Sequence, residues 1–96
     1  MFGRRDSVIR LRAWVHGHVQ GVGFRWATRK VAVEHGLVGY AKNYPDGRVL
    51  VIAEGPKSQV KALENWLREG DTPGTVRFVA TEYTMPKGSY DGFERK

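Results

Sequence analysis

Hydrophobic and polar residues alternate from Ile9 onward. Ile9, Leu11, Ala13 and Val15 fall on one side, and Arg10, Arg12, Trp14 and His16 on the other. That period of two is the mark of a half-buried strand. At Phe24 the period changes: Phe24, Ala27, Thr28, Val31 and His35 form one helical stripe, and Gly36 fits the position just past a helix end. Leu37 to Asn43 reads as a second strand, Tyr44-Pro45-Asp46-Gly47 as a tight turn, and Arg48 to Glu54 as a third strand. The run Val49-Leu50-Val51-Ile52-Ala53 has no polar side, which predicts a strand covered on both faces. A second helix opens at Pro56 or Ser58, buries Val60, Leu63, Trp66 and Leu67, and stops at Gly70. Val76 to Thr84 is an imperfect alternation, with Val76, Phe78 and Ala80 set against Arg77, Val79 and Thr81. The polar run Phe93-Glu94-Arg95-Lys96 leaves a terminal strand at Phe93 open.

Strand, helix, strand, strand, helix, strand is the split βαβ order. The predicted fold is therefore α+β: a ferredoxin-like βαββαβ sandwich, with two helices packed on one face of an antiparallel sheet. Residues 1–7 read as a flexible leader and residues 8–96 as one domain. The chain shows no internal repeat, low-complexity segment or interior linker.

Composition narrows the chemistry. Without cysteine, disulfides, thiolate metal sites and cysteine nucleophiles are excluded, so packing alone must supply stability. No apolar run reaches membrane-spanning length, and the basic N-terminal residues are not followed by a signal-peptide core. A cytoplasmic protein is expected. The formal charge of +6 suits either nucleic acid or small anionic substrates. Because the basic residues are dispersed, with no long like-charge run, small anions and solubility are the favoured explanations.

The segment Gly17-His18-Val19-Gln20-Gly21-Val22-Gly23-Phe24-Arg25 lies where the strand pattern ends and the helical one begins. Glycines allow a tight turn that aims several amide N–H groups at one point, and the helix N-terminus adds unpaired donors. Arg25, in the first turn, adds a planar charged fork. These features suit a tetrahedral dianion, and the absence of serine, threonine and cysteine predicts holding without attack. The loop is neither a Walker A sequence nor a dinucleotide fingerprint. Val19 stands six residues before Arg25, where cysteine phosphatases carry their nucleophile, so a phosphocysteine route is ruled out. With the first strand central and pairing beside the second-strand region, Asn43 at a strand end falls near this loop. Its amide could hold a water by the carbonyl; a plain turn residue is the alternative. His16, His18 and His35 lack metal-ligand spacing, and the scattered carboxylates form no Asp-x-Asp or His-Glu-x-x-His cluster. No metal or other cofactor is expected. Trp14, Trp26 and Trp66 read as core or interface bulk.

Two segments together resemble the acylphosphatase family. Gly17-x-Val19-Gln20-Gly21-Val22-Gly23-Phe24-Arg25 is similar to its first signature. Gly39-Tyr40-Ala41-Lys42-Asn43, followed by Gly47-x-Val49 and Gly55, is similar to its second. The resemblance is close over the first half and one of pattern over the second. It implies hydrolysis of the carboxyl–phosphate bond of acyl phosphates by direct, metal-free water attack. It also implies that Arg25 binds the phosphate, that Asn43 positions the water, and that the backbone of Gln20, Gly21, Val22, Gly23 and Phe24 cradles the phosphoryl oxygens. A small acyl phosphate is the expected partner, with inorganic phosphate or sulfate in the loop, no membrane or nucleic acid, and a monomeric state. The polar ending after Phe93 departs from the longer apolar strand common in the family.

The rival reading is a basic ferredoxin-like RNA-binding module. Its aromatic signature belongs on the third strand, and here that strand is aliphatic while Gly21-Val22-Gly23-Phe24 lies before a helix.

Overall fold

A computed structural model describes residues 7–96. The elements are β1 (Val8–His18), α1 (Phe24–Glu34), β2 (Val38–Asn43), β3 (Val49–Pro56), α2 (Lys57–Glu69), β4 (Thr75–Thr84) and β5 (Phe93–Arg95). The leader expected over residues 1–7 lies outside the described residues apart from Ser7, whose carbonyl accepts the Lys57 N–H at 2.8 Å. The sheet order is β4-β1-β3-β2-β5. The first four strands pair antiparallel, as the ferredoxin-like pattern predicts, and β5 adds in parallel beside β2, making the sheet mixed.

The inward residues of β1 are Leu11, Ala13 and Val15, all fully buried. They meet Phe24 and Ala32 of α1 and Val60, Leu63 and Leu67 of α2 in one apolar core. Thr28 joins this face by donating its hydroxyl to the Phe24 carbonyl at 2.8 Å, so its polar atom is satisfied. The end of α1 is closed by a Schellman pair: Gly36 N–H bonds Val33 O at 3.0 Å and Leu37 N–H bonds Ala32 O at 2.9 Å.

The unbroken apolar run of β3 has a different cover on each side. On the face without helices, Leu50 lies between Trp14 and Lys42 in register, and Ile52 between Arg12 and Tyr40. Arg48 stacks over Trp14 at 3.9 Å, Lys96 over Tyr40 at 4.4 Å, and Tyr90 against Tyr40 at 6.0 Å. These long side chains lay their apolar parts over the strand, so both faces of β3 are covered with helices on only one.

β4 departs from the expected alternation. His16 pairs with Phe78 and Gly17 with Val76, which leaves Arg77 as the extra residue of a β-bulge. The bulge reverses the facing of the strand. Val76 and Val79 both turn toward the core, while Phe78 and Ala80 are exposed. A Cβ on Gly17 would stand 2.1 Å from the Thr75 carbonyl oxygen, so the bulge requires glycine at that position.

Candidate active site

β1 is flanked by β3 and β4, not by β2 as the sequence suggested. Both β1 and β2 run antiparallel to β3, so they are parallel to each other and their C-terminal ends emerge at the same edge of the sheet. The loop after β1 and Asn43 at the end of β2 therefore meet with β3 between their strands. Gln20 completes the junction. Its side-chain N–H₂ donates to Tyr44 O at 2.7 Å and Arg48 O at 3.0 Å, locking the loop to the β2–β3 turn.

Gly21 (φ 75°) and Gly23 (φ 83°) take left-handed conformations that other residues rarely adopt, and they fold the loop onto the start of α1. No side chain caps that helix, and its first turn has no acidic residue. Its N-terminal donors are left to a ligand or to water.

A recess of about 190 Å³ opens here, lined by Val19, Gly21, Gly23, Phe24, Arg25, Trp26, Asn43 and Arg95. The two polar side chains singled out in the sequence, Arg25 and Asn43, share this one space. Arg25 Nη1 donates to Lys96 O at 2.7 Å. The Lys96 N–H bonds Ala41 O at 2.7 Å, and the Asn43 N–H reaches Lys96 O at 3.4 Å. The segment after β5 thus ties the arginine on α1 to the asparagine on β2. Of the loop residues expected to cradle phosphate, Gly21, Gly23 and Phe24 line the recess. Gln20 and Val22 do not: the Gln20 side chain is spent on the turn, and Val22 packs against the core.

Two buried side-chain polar atoms have no hydrogen-bond partner among the described residues, Arg10 Nε and Asn43 Oδ1. Arg10 Nε lies 3.5 Å from Glu54 Oε2, so its charge is answered. Asn43 Oδ1 has no such compensation, a costly state unless a ligand or water completes it.

Trp26 and Arg95 are the lining residues that the sequence reading missed. Trp26 follows Arg25 but falls off the buried stripe of α1, and at 57% exposure it is not core bulk. That offset was visible in the helical period. Arg95 carried no such signal, because only the parallel addition of β5 beside β2 brings it here. His18 and Tyr44 stay out of the recess, and Tyr44 packs edge-on against Trp14 at 4.8 Å. His35 lies at the far end of α1, its Nδ1 2.7 Å from Gln59 Oε1. Among the described residues no group of three or more His, Asp or Glu side chains could hold a metal ion. No helix there is long and apolar enough to cross a membrane.

A family model described as acylphosphatase matches residues 11–95. An acylphosphatase of Nocardia farcinica is 57% identical over 88 residues, covering 92% of this chain and 88% of that protein. One of Rhodococcus jostii is 58% identical over 84 residues, 88% of this chain and 94% of that one. Among solved structures, an acylphosphatase from Coxiella burnetii superposes with a TM-score of 0.85 at 34% identity, covering 93% of each chain.

Proposed function

The chain belongs to the acylphosphatase family, and we propose that it cleaves the carboxyl–phosphate bond of acyl phosphates by direct attack of water, without a metal. The observation that carries this reading is that Asn43 borders the same recess as Arg25 and that its buried Oδ1 has no hydrogen-bond partner among the described residues. Asn43 accepts a hydrogen bond from the attacking water and aims its oxygen at phosphorus. Arg25 and the loop N–H groups of Gly21, Gly23 and Phe24, which border the recess, hold the phosphoryl oxygens.

The new bond joins water oxygen to phosphorus, and the bond from phosphorus to the acyl oxygen breaks. Its electron pair leaves on a carboxylate, and a water proton passes to a phosphoryl oxygen. A carboxylate is a weak base and departs without protonation, so no general acid is required. Charge stabilisation comes from the arginine and the oriented amides, and the residues lining the recess include no Ser, Thr, Cys, His, Asp or Glu side chain to form a covalent intermediate. Inorganic phosphate and sulfate, which match the transferred group in shape and charge, compete for the same cradle. Residues 8–96 act as a single catalytic domain in this reading.

The test is benzoyl phosphate hydrolysis in the presence of EDTA, wild type beside Asn43→Ala. We expect wild-type turnover, and a loss of roughly tenfold or more from the misplaced water, carried by kcat rather than KM in the folded variant. Turnover abolished by EDTA, or an Asn43→Ala enzyme with wild-type kcat, overturns the mechanism.

A further inference from the structure

We propose that Arg95 selects acyl phosphates whose acyl group carries a carboxylate, and that Trp26 forms the apolar wall along which that acyl group leaves the cradle. The proposal rests on the hydrolytic reading above and extends it from the phosphoryl end of the substrate to the other.

The charge balance of the recess comes first. Its lining includes two arginines, Arg25 and Arg95, and no aspartate or glutamate. Arg10, Arg12, Arg48 and Arg68 each have a carboxylate partner. Arg25 and Arg29 donate to the main-chain oxygens of Lys96 and Phe93. Arg95 differs from all of these. Its guanidinium lies 4.1 Å over the Trp26 ring, and among the described residues no hydrogen bond or ion pair engages it. Stacking occupies the flat face of a guanidinium and leaves its N–H edge free, the edge that takes a carboxylate through two parallel bonds.

The placement follows from the parallel pairing of β5. Phe93 and Arg95 sit opposite Gly39 and Ala41, so both are on the helix side of the sheet. Phe93 is buried beneath α1, and Arg95, two residues on, reaches the rim. A second recess of about 470 Å³ continues from there, lined by Trp26, Arg29, Phe93, Glu94 and Arg95. It offers an acyl group room beyond the small cradle. Trp26 and two arginines border it against the single carboxylate of Glu94, so it favours an anion. A phosphoryl group held at Arg25 neutralises the first cation, and a substrate carboxylate is the group that answers the second.

The experiment compares benzoyl phosphate with its 3-carboxy and 4-carboxy derivatives, using wild type, Arg95→Gln and Arg95→Lys. In wild type, kcat/KM for the better carboxylated substrate is expected to exceed that for benzoyl phosphate by about tenfold, the scale of one charge-assisted hydrogen bond. The preference shrinks as salt is raised. In Arg95→Gln the substrates fall within about twofold of each other, and Arg95→Lys restores part of the difference. A structural role for Arg95 would change every substrate alike and leave the ratio intact. The same ratio is read without turnover, from the Kd values of benzylphosphonate and its 3- and 4-carboxy forms. A binding preference that Arg95→Gln abolishes, in a protein that hydrolyses nothing, refutes the hydrolytic reading and supports the role of Arg95. A wild-type ratio near one, or a ratio unchanged in Arg95→Gln, overturns the proposal.

Discussion

The two ends of this small sheet treat their polar groups in opposite ways. Between α2 and β4, Glu64 is buried and fully engaged. It accepts from Arg68 Nε at 3.2 Å and Nη2 at 3.1 Å, from the Thr81 hydroxyl at 3.4 Å and from the Tyr83 hydroxyl. Arg68 also donates to Val79 O at 2.8 Å and Thr81 Oγ1 at 2.9 Å. At the cradle the pattern reverses. Among the described residues Asn43 Oδ1 has no partner, the N-terminus of α1 has no side-chain cap, and two arginines line a recess without aspartate or glutamate. A closed network has already received its return for leaving water, and it acts as structure. An open set of donors and acceptors around a recess is completed only by a bound group or by water. Charge content alone does not separate the two regions; satisfaction does.

The sharpest test of this contrast is at the open end. Arg25→Ala should lower kcat/KM for benzoyl phosphate by roughly a hundredfold or more, the usual scale for losing an aimed charge donor. Circular dichroism and the melting curve should stay close to wild type, because the lost side chain has one hydrogen bond to the backbone, at the rim. A large fall in stability would make Arg25 a member of the structural class instead.

The closed end should give the mirror result. Glu64→Ala leaves Arg68, Thr81 and Tyr83 without their shared acceptor, and a loss of about 1–3 kcal/mol is expected in urea unfolding. Turnover per folded molecule should remain within about twofold of wild type. A catalytic defect at unchanged stability would erase the distinction.

The smallest effect lies at the turn beside the cradle. Arg48 donates to Asp46 from its backbone N–H at 3.1 Å and its Nε at 2.8 Å. The backbone hydrogen bond, chiefly, holds the Asp46 carboxyl below the usual carboxylate range. A depressed pKa in the folded state contributes stability above the ordinary value, about 3.9, and that contribution is lost as pH falls through the folded value. The melting-temperature gap between wild type and Asp46→Ala should therefore be constant from pH 5 to 8 and close below about pH 4. A gap that persists in acid would show that Asp46 acts through turn geometry alone.

Local pattern carried most of the fold and the first half of the site. The strand and helix periods, the stop at Gly36 and the Gly21–Arg25 segment depend on neighbours a few residues apart, so they can be read along the chain. The alternation failed in β4, because the extra residue at Arg77 exists only against the pairing of β1. Glu54 shows the same limit. In sequence it is one scattered carboxylate. In the fold it is buried, accepting from the N–H groups of Lys87 and Gly88 at 2.8 and 3.0 Å and so pinning the connection to β5.

By itself, then, the sequence determined which segments alternate, which coil, where the chain turns, and that a glycine-bearing loop running into Arg25 lies between strand and helix. Tertiary structure alone decided that β5 joins in parallel, that Arg95 reaches the recess, that Lys96 O meets Arg25, and that Asn43 Oδ1 is buried without a partner among the described residues. The physical reason is range. Backbone periodicity and turn chemistry act over a few residues, whereas burial, unmet hydrogen bonds and shared charge arise only when segments distant in sequence close on the same space.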